Sequence, residues 1–418
     1  MKIKSVTGQE VLASGGYPTL QATVILDDDT TASAQVPYGA SAGSHEAVML
    51  VDNDPDRYQG KGVLKAVQNI EEIISPAILG QTAKDQAQID KTLIDLDGTP
   101  NKSKLGGNSI LAVSLAVAKA TASSLKKPLY RHIIDTFQTK PNLASLPKPM
   151  MVAIEGGKHA ANSTDLQEYC LSAVGTETVE KSIESVLETY HTLEKVLTNK
   201  GLSTNVGNEG AFAPEGIESN EAPLQFLTQA IEQAGFKPGA DIAISIDAAA
   251  NEFYQDGKYQ LKIEDKALTS DELIEYYTPW LDKYPVVSLE DMLAEDDWSA
   301  WTRFNKITNA HKILHLGDDL TVTSTDRLQQ AINQQAISAI LIKLNQVGTL
   351  TETVECCQLA NQHGLVTVPS HRGGGETNDT SMVDLAVAVG SRFIKVGPTR
   401  GERISKYNRL IEIERELK

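Results

Sequence analysis

Short apolar runs recur along the second half of the chain, and each ends at a polar or charged residue. The runs are 242–246 before Asp247, 286–289 before Glu290, 313–317 before Asp318, 339–342 before Lys343, 365–368 before Ser370 and His371, and 392–394 before Lys395. Amphipathic helical patterns lie between them, for example at 323–334 and 349–363. Buried parallel strands that alternate with helices indicate an α/β fold. Six or more such units in about 270 residues favour a closed (β/α)8 TIM-like barrel over an open sheet.

The first part of the chain shows a different pattern. Strand-like segments at 6–11, 19–26 and 31–36 precede helical patterns at about 60–80, 85–95 and 108–125, which predicts a smaller α+β domain. The segment 110–120 reads as a buried helix with Asn108 as its N-cap. Three prolines between 141 and 149 mark a boundary. We predict an N-terminal α+β capping domain at 1–137 and a catalytic barrel at 138–418.

Composition narrows the class of protein. A chain of 418 residues exceeds the size of about 250–300 residues at which single cores stop growing, so two domains are expected. The net charge of −17 argues against a nucleic-acid partner, which needs a basic surface. Three cysteines without a CxxC spacing form no disulfide framework. With no signal peptide and no apolar stretch near 18 residues, we expect a cytoplasmic protein without a membrane span.

The residues at the strand ends suggest a metal site. In a barrel of this kind the functional groups stand at the carboxyl ends of the strands, which would bring Asp247, Glu290 and Asp318 together. Three inward carboxylates repel one another and raise one another's pKa values, and a divalent cation relieves the conflict. All-oxygen ligands favour Mg²⁺, with Mn²⁺ as a substitute. The competing explanation is that the carboxylates pair with nearby lysines.

Basic groups come from the same predicted rim. Lys343 could act as a base if its amine is uncharged, and a close metal or a neighbouring cation such as Arg372 lowers its pKa toward that state. Lys395 could instead neutralise a substrate carboxylate. Arginine and the glycine run 373–375 together suit the oxygens of a phosphate, although a simple turn explains the glycines equally well.

Two loops in the first half of the barrel add acids. Glu168 lies in one of them, and Glu209 is flanked by glycines in the other. A glutamate across a site from a lysine suits protonation of a leaving hydroxyl, whereas each glutamate taken alone also fits a surface residue or a helix cap. A third loop, 156–159, ends in His159.

Nine motifs in register closely resemble those of enolases, over essentially the whole chain. They are GAS at 39–41, NKSK at 101–104, DLQE at 165–168, EG at 209–210, SLED at 288–291, GDDL at 317–320, LIKLNQ at 341–346, SHR at 370–372 and KYN at 406–408. The resemblance implies a barrel with irregular first strands. It also implies reversible dehydration of 2-phosphoglycerate to phosphoenolpyruvate in glycolysis, a small phosphorylated hydroxy-acid substrate, and a homo-oligomer, either dimer or octamer.

The resemblance also implies roles for individual residues. Asp247, Glu290 and Asp318 match the ligands of the tight Mg²⁺, and Ser41 matches the loop group that closes over a second Mg²⁺. Lys343 matches the base that takes the C2 proton, and Glu209 matches the acid for the C3 hydroxyl, with Glu168 beside it. Lys395 matches the partner of the substrate carboxylate, and Arg372 the partner of the phosphate. His159, Gln167, Asp319 and His371 match supporting positions, and closure of Ser41 and His159 would exclude water.

Several positions depart from the family pattern. Gly373, Gly374 and Gly375 replace a serine that touches phosphate, in a stretch one residue longer, and their backbone could take over phosphate binding. Asn208 replaces an aspartate, and Glu155 replaces an asparagine. The loop at 38–43 and the turn at 14–19 also differ, and the region after Lys395 is one residue short. We interpret the chain as a divergent enolase.

Three functional hypotheses follow. The first is a working enolase. The second is a related barrel dehydratase that acts on another hydroxy acid; such relatives usually carry Lys-x-Lys where this chain has Gln167 and Glu168. The third is a weakly active or non-catalytic protein with a binding role, for which a secondary location at the cell surface stays open.

Overall fold

The computed structural model describes residues 1–39 and 45–418. Its first part begins with an antiparallel sheet in the order β1-β2-β3, made of β1 (Ile3–Leu12), β2 (Pro18–Leu26) and β3 (Thr31–Gln35). A 3₁₀ turn at Tyr58–Gly60 follows. The helices are α1 (Leu64–Gln68), which continues through a π-helical turn (Asn69–Ile74) into α2 (Ser75–Ile78), then α3 (Gln86–Asp97), α4 (Gly107–Ser124) and α5 (Leu129–Phe137).

Helix α4 is the centre of this part of the protein. It packs against β2 and β3 and is buried along nearly its whole length, which agrees with the apolar pattern at 110–120. The predicted N-cap was wrong, because the helix begins at Gly107 and Gly106 is its N-cap. Asn108 bonds to the neighbouring chain instead, accepting from the Leu50 N–H and donating to the Leu50 carbonyl, each at 3.1 Å.

Eight strands form the sheet of the second part. They are β4 (Lys148–Glu155), β5 (Glu168–Ala173), β6 (Ile242–Asp247), β10 (Val286–Glu290), β11 (Leu314–Gly317), β12 (Ala339–Ile342), β13 (Val366–Pro369) and β14 (Phe393–Val396). Their order is β13-β12-β11-β10-β6-β5-β4-β14. A parallel bridge between Ser370 and Lys395 joins the two ends, so the sheet closes into the predicted barrel.

The remaining elements surround the barrel. The helices are α6 (Val179–Asn199), α7 (Ala222–Gln233), α8 (Ser270–Lys283), α9 (Trp298–Ala310), α10 (Thr325–Gln334), α11 (Leu344–Val347), α12 (Leu350–Gln362), α13 (Ser381–Val389) and α14 (Gly401–Leu417). After a short 3₁₀ turn (Ala250–Phe253), a small antiparallel sheet is made of β7 (Tyr254–Gln255), β8 (Lys258–Leu261) and β9 (Lys266–Leu268).

One barrel strand runs against the others. β5 pairs antiparallel with both β4 and β6, whereas the remaining barrel pairs are parallel. The amino end of β5 therefore lies at the rim where its neighbours have their carboxyl ends, and Glu168 stands beside Glu155 on one side and Asp247 on the other. This reversal explains how a residue at the start of a strand joins residues at the ends of strands.

The connection between α5 and β4 spans 138–147. The domain boundary predicted at 137 and 138 falls where this connection begins, and it stays a prediction. Cys170, Cys356 and Cys357 are buried and free. In the described part of the chain no single helix is long and apolar enough to cross a membrane; α4 and α5 reach that length and apolarity only as a pair bent by 101°.

His315 on β11 is a fully buried titratable group in the wall of the barrel. Its ring stacks on Trp301 with centroids 4.4 Å apart and meets Phe304 edge-on at 5.2 Å. Burial lowers the pKa of His315 to about 3, because a charged imidazolium is poorly solvated there. The unfolded chain therefore binds a proton that the folded protein excludes, and folding stability falls as the pH drops from about 6.5 toward 3.

We expect the substitution His315→Phe to reduce this acid sensitivity. Between pH 7 and pH 4.5 the free energy of unfolding should fall less in the variant than in the unsubstituted protein, by about 3 kcal/mol. Urea unfolding at both pH values measures this fall in each protein. A change in packing caused by the substitution affects the free energy of unfolding at both pH values and therefore cancels from the fall. An equal fall in both proteins would contradict the neutral state of His315.

Candidate active site

A polar cleft opens at the rim formed by the carboxyl ends of the barrel strands. The residues that line it are Glu46, His159, Gln167, Glu168, Glu209, Asp247, Ala249, Glu252, Asp291, Asp318, Asp319, Lys343, Ser370, His371, Arg372, Gly373 and Lys395. The structure therefore brings together nearly all of the site residues predicted from the sequence.

Lys395 lies at the floor of the cleft and is buried. Its ammonium is 2.8 Å from Glu168 Oε2, 2.9 Å from Asp247 Oδ2 and 2.7 Å from Glu290 Oε2. Burial lowers the pKa of this lysine, but the three carboxylates outweigh burial and raise it well above its usual range. Lys395 is therefore a fixed positive charge.

Lys343 follows β12 and faces Asp318, with 2.5 Å between Nζ and Oδ2. Gln346 donates to the other oxygen of Asp318 at 2.7 Å. Burial lowers the pKa of Lys343, and Asp318 raises it by more, so the net pKa lies above the usual value. The uncharged amine expected from the sequence is thus not the form that this geometry favours, because the nearest group is a carboxylate.

Glu209 stands between two imidazoles. Its Oε1 is 3.3 Å from His159 Nδ1, and its Oε2 is 3.1 Å from His371 Nε2. His159 Nδ1 also lies 3.2 Å from Glu168, and His371 Nδ1 lies 2.5 Å from Glu376. Burial raises the pKa of Glu209, but the two imidazoles lower it by more. Each histidine has its pKa raised to about 9, because the carboxylates outweigh burial.

The lysines do not neutralise the acids of the rim. Two ammoniums, those of Lys343 and Lys395, stand among six carboxylates, which belong to Glu168, Asp247, Glu290, Asp291, Asp318 and Asp319. Both sequence explanations are therefore present together: the acids pair with lysines, and negative charge remains for a cation.

The predicted ligands Asp247, Glu290 and Asp318 stand at neighbouring strand ends, but among the described residues they do not form a group whose oxygens all lie within 4.8 Å of one another. Asp247 and Glu290 end neighbouring strands in register, and Asp318 follows the next strand. Within the described residues, Glu290 Oε1 is buried and has no hydrogen-bond partner. Burial and the adjacent Asp247 raise the pKa of Glu290 well above its usual range. An oxygen-only donor set with this excess of charge suits Mg²⁺.

A second group of acids lies close to the first. Oxygens of Asp291, Asp318 and Asp319 come within 4.8 Å of one another. Asp291 accepts from the backbone N–H groups of Asp318 at 2.9 Å and of Asp319 at 2.7 Å. Burial and Asp318 raise the pKa of Asp319 to about 7. Asp318 could therefore contribute to either group of ligands.

Arg372 is buried in an ion pair with Glu46, at 2.9 Å. Glu46 was not predicted from the sequence, because nothing in its neighbourhood marks it as a partner for a residue 326 positions away. Asp291 and Gln346 were given no role either, although both fall inside the motifs that carry the resemblance. Ser41 lies outside the described residues. Gln167 lines the cleft, and its backbone N–H donates to the Asp247 carbonyl at 3.1 Å.

The glycine run after Arg372 is tightly packed. A β-carbon at Gly373 would lie 1.8 Å from Glu209 Oε1, and one at Gly375 would lie 1.9 Å from the Tyr38 carbonyl oxygen. The Gly375 N–H already donates to the Arg372 carbonyl at 3.1 Å, so it is not directed to a ligand. The glycines are therefore needed for the close approach of the acid and of the loop that carries Tyr38.

Fold and site together define a class: barrel lyases with lysines and carboxylates at the carboxyl rim and a separate α+β unit before the barrel. Two family models match the chain, the enolase N-terminal domain over residues 3–133 and the enolase C-terminal TIM barrel domain over residues 143–418. Because the matches cover most of the chain, the protein belongs to the enolase family, a group of lyases in the enolase superfamily.

We expect Mg²⁺ to stabilise the folded protein through these carboxylates. At a concentration 100 times the dissociation constant, binding adds about 2.7 kcal/mol to the free energy of unfolding. Thermal unfolding with and without Mg²⁺ should show a higher midpoint with the ion, and Glu290→Gln should lose most of that increase. Sodium chloride at equal ionic strength serves as the control. An undiminished increase in both Glu290→Gln and Asp247→Asn would contradict the predicted ligands.

Proposed function

We propose that this protein catalyses the reversible dehydration of 2-phospho-D-glycerate to phosphoenolpyruvate, the activity of phosphopyruvate hydratase. The observation that supports it best is the separation of the candidate base from the candidate acid. Lys343 follows β12, whereas Glu209 packs at the ends of β4 and β5, three to four strands away in either direction around the closed barrel. A substrate between them would offer its C2 proton to one side and its C3 hydroxyl to the other.

Lys343 is the proposed base. The C2 proton next to a carboxylate is weakly acidic, so the amine must be neutral when it acts. Asp318 is the group that opposes this state, since it pairs with the amine at 2.5 Å. Asp247, Glu290 and Asp318 would hold Mg²⁺, which would supply positive charge for the developing enolate. Asp318 engaged in this way would pair less strongly with Lys343.

The proposed acid is a cluster, not an isolated glutamic acid. The two imidazoles hold Glu209 ionised, and both have raised pKa values near 9. A proton shared with His371 at 3.1 Å can pass through Glu209 to the leaving hydroxyl, which departs as water. Lys343 then releases the C2 proton to solvent and the pair takes up a proton from solvent, so the net products are phosphoenolpyruvate and water. This arrangement keeps a proton available at neutral pH although the glutamate itself has a low pKa.

Two cations are proposed to bind the substrate. Lys395 lies at the floor as the partner of the substrate carboxylate, and its charge adds to the electrostatic stabilisation of the enolate. Arg372 is the partner of the phosphate, for which its planar guanidinium offers two parallel donors. Because Arg372 is paired with Glu46, a phosphate would compete with that carboxylate for it.

The decisive assay follows the absorbance of phosphoenolpyruvate after 2-phosphoglycerate is added, with and without Mg²⁺. We expect turnover that depends on Mg²⁺ and falls at least about 10³-fold in Lys343→Ala, because the variant lacks the amine that takes the C2 proton. Lys306→Ala, which removes an exposed lysine from α9, is the matched control and should keep full activity. No turnover by a folded, Mg²⁺-loaded protein would contradict the proposal.

The glycine after Arg372 gives a second prediction. Restoring the serine of the family pattern by Gly373→Ser should lower kcat by about tenfold or more, because the added β-carbon collides with Glu209 and displaces the acid. Gly374→Ala is the comparison: its β-carbon has only an ordinary contact 3.7 Å away, although its φ of +68° adds backbone strain. An increase in kcat for Gly373→Ser would contradict the packing described here.

A related substrate is the second candidate. The pairing of Arg372 with Glu46 and the use of the Gly375 N–H within the loop favour a hydroxy acid without phosphate as the alternative substrate. Comparing turnover of 2-phosphoglycerate with that of unphosphorylated sugar acids separates the two enzymes. The dimer or octamer implied by the family is a further expectation, which light scattering after size-exclusion chromatography tests.

A further inference from the structure

Glu155 at the end of β4 carries a buried carboxylate that the proposed reaction does not use. Both of its oxygens accept from the Glu209 N–H, at 3.2 and 3.1 Å, and Oε1 also accepts from the Ala211 N–H at 2.9 Å. The side chain is fully buried. A buried carboxylate in such a position is retained at a cost in solvation, which indicates that these contacts are needed.

The loop is shaped to admit this carboxylate. A β-carbon at Gly207 would lie 2.5 Å from Glu155 Cδ, so only glycine allows the approach. Gly210 takes a φ of +85°, a conformation that residues with side chains avoid. The Gly207 N–H donates to the Ala211 carbonyl at 3.0 Å, and this bond closes the turn with Glu209 near its tip.

Two arginines hold the same turn through its carbonyl groups. Arg400 donates to the Gly207 carbonyl at 3.0 Å, and Arg403 donates to the Asn208 carbonyl at 2.9 Å. The N–H groups of Glu209 and Ala211 thus donate to a carboxylate, and the carbonyl groups of Gly207 and Asn208 accept from guanidiniums. The turn is bound from both sides, and the side chain of Glu209 is left to point into the cleft.

We propose that Glu155 is a positioning residue, which aims the Glu209 carboxylate between His159 and His371 by holding the backbone of its turn. The inference rests on the proposed function, in which Glu209 delivers the proton to the leaving hydroxyl. Glu155 touches neither the base nor the floor of the cleft, so its effect is confined to the acid side of the reaction.

The surroundings of Glu155 agree with a role through hydrogen-bond acceptance. The titratable groups around it are Glu209, His159, Glu168 and Tyr190. Burial and Glu209 raise the pKa of Glu155 to about 8. Backbone N–H groups need acceptor oxygens and not a full charge, so an amide at position 155 can retain most of the function.

The experiment separates the two halves of the reaction. Elimination of the C3 hydroxyl requires the acid, whereas exchange of the C2 proton with deuterated solvent requires only the base. In Glu155→Ala we expect kcat for dehydration to fall about 100-fold, as for a misplaced catalytic group, while KM and the rate of C2 exchange stay within about threefold. Glu155→Gln should recover kcat to within about tenfold of the unsubstituted protein.

Glu414 offers a matched control at the other end of the barrel. Its carboxylate also accepts from two backbone N–H groups, those of Val179 at 2.9 Å and Glu180 at 3.4 Å. Glu414→Ala should lower the midpoint of thermal unfolding without a selective effect on elimination. A loss of elimination in Glu414→Ala equal to that in Glu155→Ala would show a general effect of lost stability and would overturn the inference.

Backbone hydrogen exchange of the protein without substrate tests the positioning role of Glu155 independently of turnover. Backbone amides in the peptide 207–211 should exchange at least about tenfold faster in Glu155→Ala, and near the original rate in Glu155→Gln, because two of them donate to residue 155. Unchanged protection, or equal loss of dehydration and C2 exchange, overturns the inference. If the unsubstituted protein does not turn over 2-phosphoglycerate, the proposed function fails, and amide protection alone then supports or overturns the role of Glu155.

Discussion

The rest of the site depends on one constraint: more carboxyl groups are buried at the barrel rim than its two lysines can pair with. Lys395 alone contacts three carboxylates, and Lys343 contacts a fourth. Such an arrangement costs solvation energy, and it persists because the closed sheet fixes the strand ends that carry the acids. The same set of acids makes the site suited to a divalent cation, and an anionic intermediate of the proposed reaction would need the charge of that cation in addition to the lysines.

Two buried carboxylates hold functional acids through their backbones. Asp291 accepts from the N–H groups of Asp318 and Asp319, and Glu155 accepts from those of Glu209 and Ala211. Asp291 has a φ of +42°, an uncommon conformation for a residue other than glycine. In both cases the carboxylate holds the backbone of a residue whose side chain lines the cleft, and Asp291 lines the cleft itself. Precision at the rim thus comes from backbone clamps as well as from the strands.

The contacts around Glu209 give physical reasons for several departures from the family pattern. Glu155 stands where the family pattern has an asparagine, and Asn208 stands where it has an aspartate. Both residues lie at the same turn, so the carboxylate comes from the end of β4 and not from the turn itself. Gly373 and Gly375 are required by the close approach of Glu209 and of Tyr38. These changes alter the contacts around Glu209 and Arg372, and they leave Lys343 and Lys395 at the strand ends.

The sequence by itself determined the barrel, the α+β part before it and the strand-end residues, because period and burial follow directly from the order of apolar and polar positions. It also identified the family through motifs in register. The reversed strand β5, the pairing of Arg372 with Glu46, the raised pKa of Lys343 and the clamp by Glu155 were decided by the tertiary structure. Each depends on residues far apart in the chain, and on distances of about 3 Å that no pattern of residue types encodes.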